Sequence, residues 1–366
     1  MTLAPDDRLD AREGISRGRI VWIDAARGIC VLGVVLMHAT LSLGFGVIDS
    51  TAGVFWRWVI DVMGPFRMPG LAMLSGLLLA RRIRHGWADR SVRVSIATSY
   101  WLYAVWLLLF VLFAVFVGSA IWTGPIGGGT DLEAWQALLN QLVLPRTLLW
   151  YVLALAVWTA LLTTLRRVDP ALVLVGLTIL SIAAAYLPVV DNNDQYRNIA
   201  RYALFFAIGV YGSAWIRGRV AQRPGVTAGQ AAGVTAVCAA IMVLGDNPDV
   251  AAVLSAPRDA AAALLLLTAV AIACRVGPVG RALAWIGRRT LPVYVMHGLL
   301  LEALLLSPLR NQLLGLPLVG ALSPLIVTLA VAAVAVGVHA LVIRTPLRVV
   351  FALPAPWRRR LAGGAG

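Results

Sequence analysis

The first long apolar segment of the chain carries ionisable residues at a spacing that could support acid–base chemistry. Arg27 and His38 lie 11 residues apart, close to three turns of an α-helix, so both occupy one face about 16 Å apart. Asp24 falls on the same side. A neutral imidazole is the natural general base near pH 7, so this face predicts a polar path for a charged substrate. The alternative is an interfacial ion pair of Asp24 with Arg27 and a packing role for His38. We favour that alternative for Asp24, and the functional interpretation for His38.

A second apolar segment contains another arginine. An ionisable side chain at the centre of a bilayer costs about 2.5–3.5 kcal/mol, so each one is a functional candidate. Arg67 is followed by Pro69 and Gly70, which predicts a broken or kinked helix whose freed backbone groups line a cavity. Arg67 would then be a fixed cation for a carboxylate, a phosphate or a developing oxyanion. An arginine that reaches to the membrane interface is the equally weighted alternative.

Polar and aromatic residues in two later segments are further candidates for a substrate cavity. Tyr294 and His297 share a helix face at i, i+3, and Glu302 follows them. His297 is either part of the cavity or an interhelical hydrogen-bonding residue, and the second interpretation is slightly favoured. Trp150 and Tyr151 suit a carbohydrate-binding cavity, although such pairs more often lie at the membrane interface. The three cysteines have no CxxC spacing, and no metal site is expected.

The composition shows what kind of chain must position these residues. Of its 366 residues, 60% are hydrophobic and 13% are charged, whereas soluble domains carry about 25% charged residues. The formal net charge of +14 could indicate nucleic-acid binding, but the basic residues lie between long apolar runs. The composition therefore predicts a multi-pass membrane protein and excludes a soluble enzyme with one anchor.

A window of about 20 apolar residues predicts an all-α polytopic fold with about ten transmembrane helices. Of the 31 basic residues, all arginine, 23 fall in alternate connections and five in the opposite ones, which predicts that both termini are cytoplasmic. The predicted parts are an N-terminal tail (1–19), a membrane domain (20–345) and a basic C-terminal tail (346–366). The predicted spans are 22–45, 60–80, 95–117, 147–165, 171–190, 198–216, 226–244, 259–274, 290–307 and 322–343.

Four motifs resemble, in order, those of the acyltransferase-3 family of bacterial integral-membrane acyltransferases. The family's frequent Arg-x2-Arg pattern has Arg67 as its first arginine here, but Gly70 replaces the second. The matching segments are Asp24-Ala-Ala-Arg27-Gly28 with His38 for the Arg-x10-His motif, Phe66-Arg67-Met68-Pro69 through Leu74-Ser75-Gly76 for the second span, Leu149-Trp150-Tyr151 for the tryptophan-aromatic motif, and Gly287 to His297 for a late Tyr-x2-His segment.

The resemblance implies transfer of an acyl group, commonly acetyl, from cytosolic acyl-CoA to a hydroxyl of a glycan, glycolipid or other sugar-containing acceptor. It matches His38 to the family's essential histidine and Arg27 to its essential arginine. The implied location is the bacterial plasma (inner) membrane. Acyl-CoA would be a donor substrate, with no permanently bound cofactor. The other expected partners are the lipid bilayer and separate envelope-biosynthesis proteins, without nucleic acid.

Acyl transfer from a thioester needs a base, a cation for the tetrahedral oxyanion and a dry site. We assign His38 as the base, or less favourably as the nucleophile. Arg27 would hold phosphate or the pantetheine arm, and Arg67 would stabilise the oxyanion or contact the acceptor. The alternatives are a carrier or flippase for a glycolipid or small anion, which would require no acyl transfer, and an inactive family member used in assembly.

Overall fold

The computed structural model describes residues 20–45, 50–117, 136, 139–187 and 195–362, and within these ranges all regular structure is helical. The predicted tail 1–19 lies outside them. The α-helices are α1 (Val21–Ser42), α2 (Thr51–His85), α3 (Arg90–Val117), α4 (Trp150–Thr164), α5 (Pro170–Ala183), α6 (Gln195–Tyr211), α7 (Ser213–Gln222), α8 (Pro224–Gly245), α9 (Pro248–Ala273), α10 (Gly277–Gly287), α11 (Thr290–Leu306), α12 (Leu309–Gly315), α13 (Pro317–Val342) and α14 (Ala355–Ala362).

Six of these helices are long and apolar enough to cross a membrane, namely α1, α2, α3, α8, α9 and α13. The bent pairs α6–α7 and α10–α11, with angles of 71° and 68°, raise the number to eight if each pair is one span. Helices α4 and α5 have only 15 and 14 residues, about 22 and 21 Å at 1.5 Å per residue. Each predicted span contains a helix, but the number ten and the side of the termini stay predictions.

Helix α2 is longer than its sequence pattern suggested. It begins after Ser50, whose hydroxyl accepts a hydrogen bond from the Gly53 amide at 3.1 Å, and it continues through Pro65 and Pro69. The predicted break at Arg67 therefore does not occur. Each proline lacks the N–H that would bond to the carbonyl one turn earlier. Packing against its neighbours holds this stretch helical, because most residues from Met68 onward are buried.

Helix α9 also begins earlier than predicted, at Pro248 rather than near residue 259. The Asn247 side chain accepts hydrogen bonds from the amides of Asp249 and Val250, at 2.9 and 3.2 Å, and so caps the helix. Arg258, one of the five arginines that the sequence assigns to the opposite connections, lies inside this helix. The charges of Arg258 and its neighbour interrupt the apolar run, which hid the first half of the helix.

Helix α1 occupies the centre of the bundle. It packs against α2, α9, α10, α11 and α13, and 56% of its apolar window is buried inside the protein, compared with 17% for α8 and 22% for α13. The peripheral helices thus turn apolar side chains outward, as lipid contact requires. The C-terminal segment packs on α3, where Trp101 and Trp357 have ring centroids 5.3 Å apart.

Glycines permit two very close helix crossings. A Cβ atom on Gly287 of α10 would lie 1.6 Å from the backbone oxygen of Asp24 in α1. In the second crossing, a Cβ on Gly76 of α2 would lie 2.0 Å from the Phe206 oxygen of α6, and one on Gly209 would lie 2.0 Å from the Met73 oxygen. Any side chain would force these backbones apart. The crossings therefore fix α10 on α1 and α6 on α2.

Candidate active site

The fold brings together two histidines that lie far apart in the sequence. The ring centroids of His38 in α1 and His297 in α11 are 5.3 Å apart, with a tilt of 36° between the ring planes. Arg67 of α2 is close enough to His38 to interact with it electrostatically. A Cβ atom on Gly33, five residues before His38, would lie 3.7 Å from the Cβ of Arg67. Helices α1, α2 and α11 thus place two imidazoles and a guanidinium at one site.

The hydrogen bonding of His297 fixes which ring nitrogen carries its proton. Its Nδ1 lies 2.5 Å from the backbone oxygen of Tyr294 in the same helix. A carbonyl oxygen can only accept, so Nδ1 donates, and in the neutral imidazole Nε2 then carries a lone pair. Nε2 is buried and has no hydrogen-bond partner among the residues that the structure describes. The bond that was expected between helices is therefore made within α11, and His297 presents an acceptor beside His38.

Arg67 is held in place by its own helix. Its Nη1 donates to the backbone oxygen of Ile60 at 2.8 Å, so the guanidinium turns back toward the N-terminus of α2. At Gly70, where the resembling family often has a second arginine, a Cβ would lie 3.2 Å from Leu266 Cδ2 and 3.3 Å from Cys30 Sγ. A longer side chain there would require Leu266 and Cys30 to move. Only the first arginine of the pattern is present, and the second position lies at a tight contact between helices.

Arg27 and Asp24 lie toward the other end of α1. Arg27 is half-buried, and its Nε is enclosed with no hydrogen-bond partner in the described part of the chain. It lies near Cys30 and Tyr151. Asp24 is buried, and its backbone oxygen faces Gly287 of α10. Because α1 is continuous from Val21 to Ser42, Arg27 and His38 are about 16 Å apart along the axis. The structure therefore places them at two levels of the bundle.

The aromatic pair at the start of α4 is buried inside the protein. Tyr151 donates to the Leu71 oxygen at 2.9 Å and lies 2.8 Å from Ser75 Oγ, which must then donate to the phenol oxygen. Its ring centroid is 5.7 Å from that of Tyr294. Trp150, which is 7% exposed, stacks on Tyr202 of α6 at 5.8 Å and 23°. The membrane-interface interpretation of this pair is wrong, because both rings line the interior between α2, α4, α6 and α11.

Tyr294 and Glu302 have separate places on α11. The Tyr294 hydroxyl donates to the Leu148 oxygen at 2.7 Å, which fastens α11 to the segment before α4. Glu302 is fully buried. It follows His297 by five residues, which places it about 140° further round the helix. Tyr294 therefore belongs, with Trp150 and Tyr151, to an aromatic wall beside the histidines, whereas the Glu302 side chain leaves α11 on another side.

A charged cluster within the helices was missed by sequence reasoning. Nη2 of Arg201 in α6 lies 2.8 Å from Oδ2 of Asp259 in α9. Nε and Nη2 of Arg258 lie 2.9 and 2.8 Å from the other carboxylate oxygen. The signal that could have revealed it is an Arg-Asp pair followed by an alanine-rich helical run. Across the described ranges, no three His, Cys, Asp or Glu side chains are grouped to hold a metal ion.

Comparison with known proteins identifies the chain's family. A family model described as an acyltransferase domain, Acyl_transf_3, matches residues 20–343. No curated protein sequence and no solved structure gives a match. The matched region covers the helices that carry His38, His297, Arg27, Arg67 and the aromatic wall. With most of its length matched and six to eight helices suited to a membrane, the chain belongs to the acyltransferase-3 family of multi-pass membrane acyltransferases.

Proposed function

We propose that this acyltransferase moves an acetyl group from cytosolic acyl-CoA to a hydroxyl of a glycan or glycolipid in the bacterial plasma membrane. The observation that carries the proposal is the contact of His38 with His297, beside Arg67. A general base and a cation are what O-acyl transfer requires around the reacting atoms. The buried surroundings of this site support exclusion of water, which would otherwise hydrolyse the thioester.

In this mechanism His38 removes the proton of the acceptor hydroxyl as its oxygen attacks the thioester carbonyl carbon. The carbonyl π electrons move to oxygen, and Arg67 stabilises the resulting oxyanion. When the tetrahedral intermediate collapses, the C–S bond breaks and the His38 imidazolium returns the proton to the leaving thiolate. The acceptor hydroxyl becomes an ester and acyl-CoA becomes CoA. The proton is thus transferred once to His38 and once from it.

Arg27 is assigned to the donor rather than to the reacting carbonyl. With the predicted cytoplasmic N-terminus, the Val21 end of α1 faces the cytosol and His38 lies in the opposite half. Arg27 is then on the donor side, where its guanidinium can bind a phosphate or orient the pantetheine arm. The separation of about 16 Å between Arg27 and His38 fits an extended donor that binds at one level and reacts at another.

The test is acyl transfer by His38→Ala, with His85→Ala as the matched control because the His85 side chain is 58% exposed. Membranes from expressing cells receive labelled acetyl-CoA, and covalent label is measured in the glycan and glycolipid fractions. We expect at least a hundredfold loss for His38→Ala and normal transfer for His85→Ala. Retained transfer in His38→Ala would remove the base. Substrate counterflow without covalent label would instead support a carrier or flippase.

A further inference from the structure

We propose that Arg201, Arg258 and Asp259 form a binding subsite for an anionic group of the acceptor, the carboxylate or phosphate of an acidic sugar. This inference rests on the proposed function, because it names the chemical class of the acceptor. Arg201 and Arg258 share the single carboxylate of Asp259. The cluster lies within α6 and α9, apart from His38, and the transfer mechanism does not use it.

The charges of this cluster do not cancel. Two guanidinium groups on one carboxylate leave a formal charge of one positive. The Asp259 side chain is 3% exposed, while those of Arg201 and Arg258 are 35% and 22% exposed. Arg258 is ten residues into α9, about 15 Å along its axis. An uncompensated cation within a membrane span is costly, and α9 is one of the helices suited to cross a membrane. An anion that reaches the accessible side of the arginines would complete the charge balance.

Contacts connect this cluster to the candidate active site. The guanidinium carbon of Arg201 is 5.6 Å from the ring centroid of Tyr202, and Tyr202 stacks on Trp150 at 5.8 Å. Tyr202 also lies near Arg67, which in turn lies near His38. Aromatic rings with a nearby cation are suited to the apolar face and the charged group of an acidic sugar.

The helix packing places the cluster near the level of Arg67. Gly70 of α2 faces Leu266 of α9, and both Arg67 and Asp259 precede that contact in their helices. The Arg67 guanidinium reaches further toward the N-terminus of α2, to Ile60. The neighbouring residues Arg201 and Tyr202 of α6 join the two positions. The cluster and Arg67 thus lie on the same side of the α2–α9 contact.

A purely structural salt bridge between α6 and α9 would need only one arginine for Asp259. The second guanidinium is the feature that favours a ligand. It leaves the cluster with a net positive charge that Asp259 alone does not neutralise, and an unpaired buried charge is costly. The two roles give opposite expectations for variants. In a structural bridge, Asp259→Asn only weakens the fold. In an anion subsite, the same change frees both arginines and strengthens the binding of an anion.

The experiment measures binding to the full chain in an uncharged detergent, without acyl donor, by isothermal titration calorimetry. The probes are trigalacturonate, glucose 1-phosphate and neutral maltotriose. We expect an acidic probe to bind at least tenfold more tightly than maltotriose. Arg258→Gln should weaken that binding about tenfold, and Asp259→Asn should tighten it. Arg197→Gln should leave it unchanged, because Arg197 of α6 donates to the Ala184 and Ala185 oxygens.

Arg258→Gln tests the subsite even if Asp259→Asn does not fold. Arg201 still neutralises Asp259 in Arg258→Gln, so this variant is expected to fold. Equal binding of neutral and acidic probes would overturn the subsite, and so would an equal effect of Arg258→Gln and Arg197→Gln. Preference for trigalacturonate would assign a carboxylate as the ligand, and preference for glucose 1-phosphate would assign a phosphate. Failure of acyl transfer with binding intact would refute the proposed function but not the anion site. Acyl transfer without preferential binding of an acidic probe would refute the anion site but not the proposed function.

Discussion

A single methyl group on Gly287 should disable the enzyme without touching any polar side chain. Gly287 ends α10 directly against α1, and a Cβ there would lie 1.6 Å from the Asp24 oxygen and 3.0 Å from its Cα. Ordinary contact of a Cβ begins at about 3.4 Å, so α10 and α1 must separate by about 1.8 Å. Both contacts are backbone atoms, which cannot rotate away as a side chain would. The strain must therefore be relieved by moving a helix.

The displacement would be passed to the histidine pair. Only Arg288 and Arg289 connect α10 with α11, and His297 lies in the second turn of α11. A misplacement of about 1 Å at a reacting group costs about a hundredfold in rate, so Gly287→Ala should lower acyl transfer by at least that factor. Overpacking of this kind also costs about 1–3 kcal/mol in the free energy of unfolding. The melting temperature should fall by a few degrees.

The matched control is Gly229→Ala in α8, where nothing lies within 4 Å of the added Cβ. Alanine favours a helix over glycine by about 0.5–1 kcal/mol, so this variant should melt at the same or a slightly higher temperature and keep full activity. Label transfer from acetyl-CoA and thermal unfolding in detergent are measured on both variants. Normal transfer and an unchanged melting temperature in Gly287→Ala would refute the close approach of α10 to α1.

Three other changes test particular contacts. Tyr151→Phe removes hydrogen bonds with α2 and should cost about 1 kcal/mol of unfolding free energy, so an unchanged melting temperature would contradict that bonding. Gly70→Arg should yield no monodisperse protein by size-exclusion chromatography, because Leu266 and Cys30 lie against this position. A folded, monodisperse product would show that the packing around Gly70 is loose. Hydrogen bonds from the hydroxyl and amide of Ser91 lower the pKa of Asp89, so its stabilising effect is present at neutral pH and is lost as the pH falls below about 4. The melting-temperature difference between the wild type and Asp89→Asn should therefore shrink from pH 7 to pH 3, and a constant difference would argue against the bond.

The helical architecture could be predicted because long apolar runs in a sequence indicate membrane helices. That rule failed where the run was interrupted. Pro69 and Gly70 suggested a break in α2 that packing overrides, and the charges of Arg258 and Asp259 concealed the first half of α9. The limits of a helix depend on its neighbours as well as on its own residues. Local composition therefore could not locate either helix start.

The candidate site was only partly predictable. The 11-residue spacing placed Arg27 and His38 on one face of a helix, because helical geometry acts within a single segment. No such rule links His38 to His297 across 258 intervening residues. Their contact depends on the glycine crossing that holds α10, and on the bend that directs α11. The ion pair of Arg201 with Asp259 is likewise a product of tertiary packing.

The central position of α1 has a consequence for the biogenesis of the enzyme. This helix is synthesised before several of its packing partners, namely α9, α10, α11 and α13. During translation, the polar face that carries Arg27 and His38 is in the membrane before most of its final neighbours have been synthesised. The histidine contact can form only when α11 has been inserted. A chain that stops before α11 therefore lacks the contact between His38 and His297.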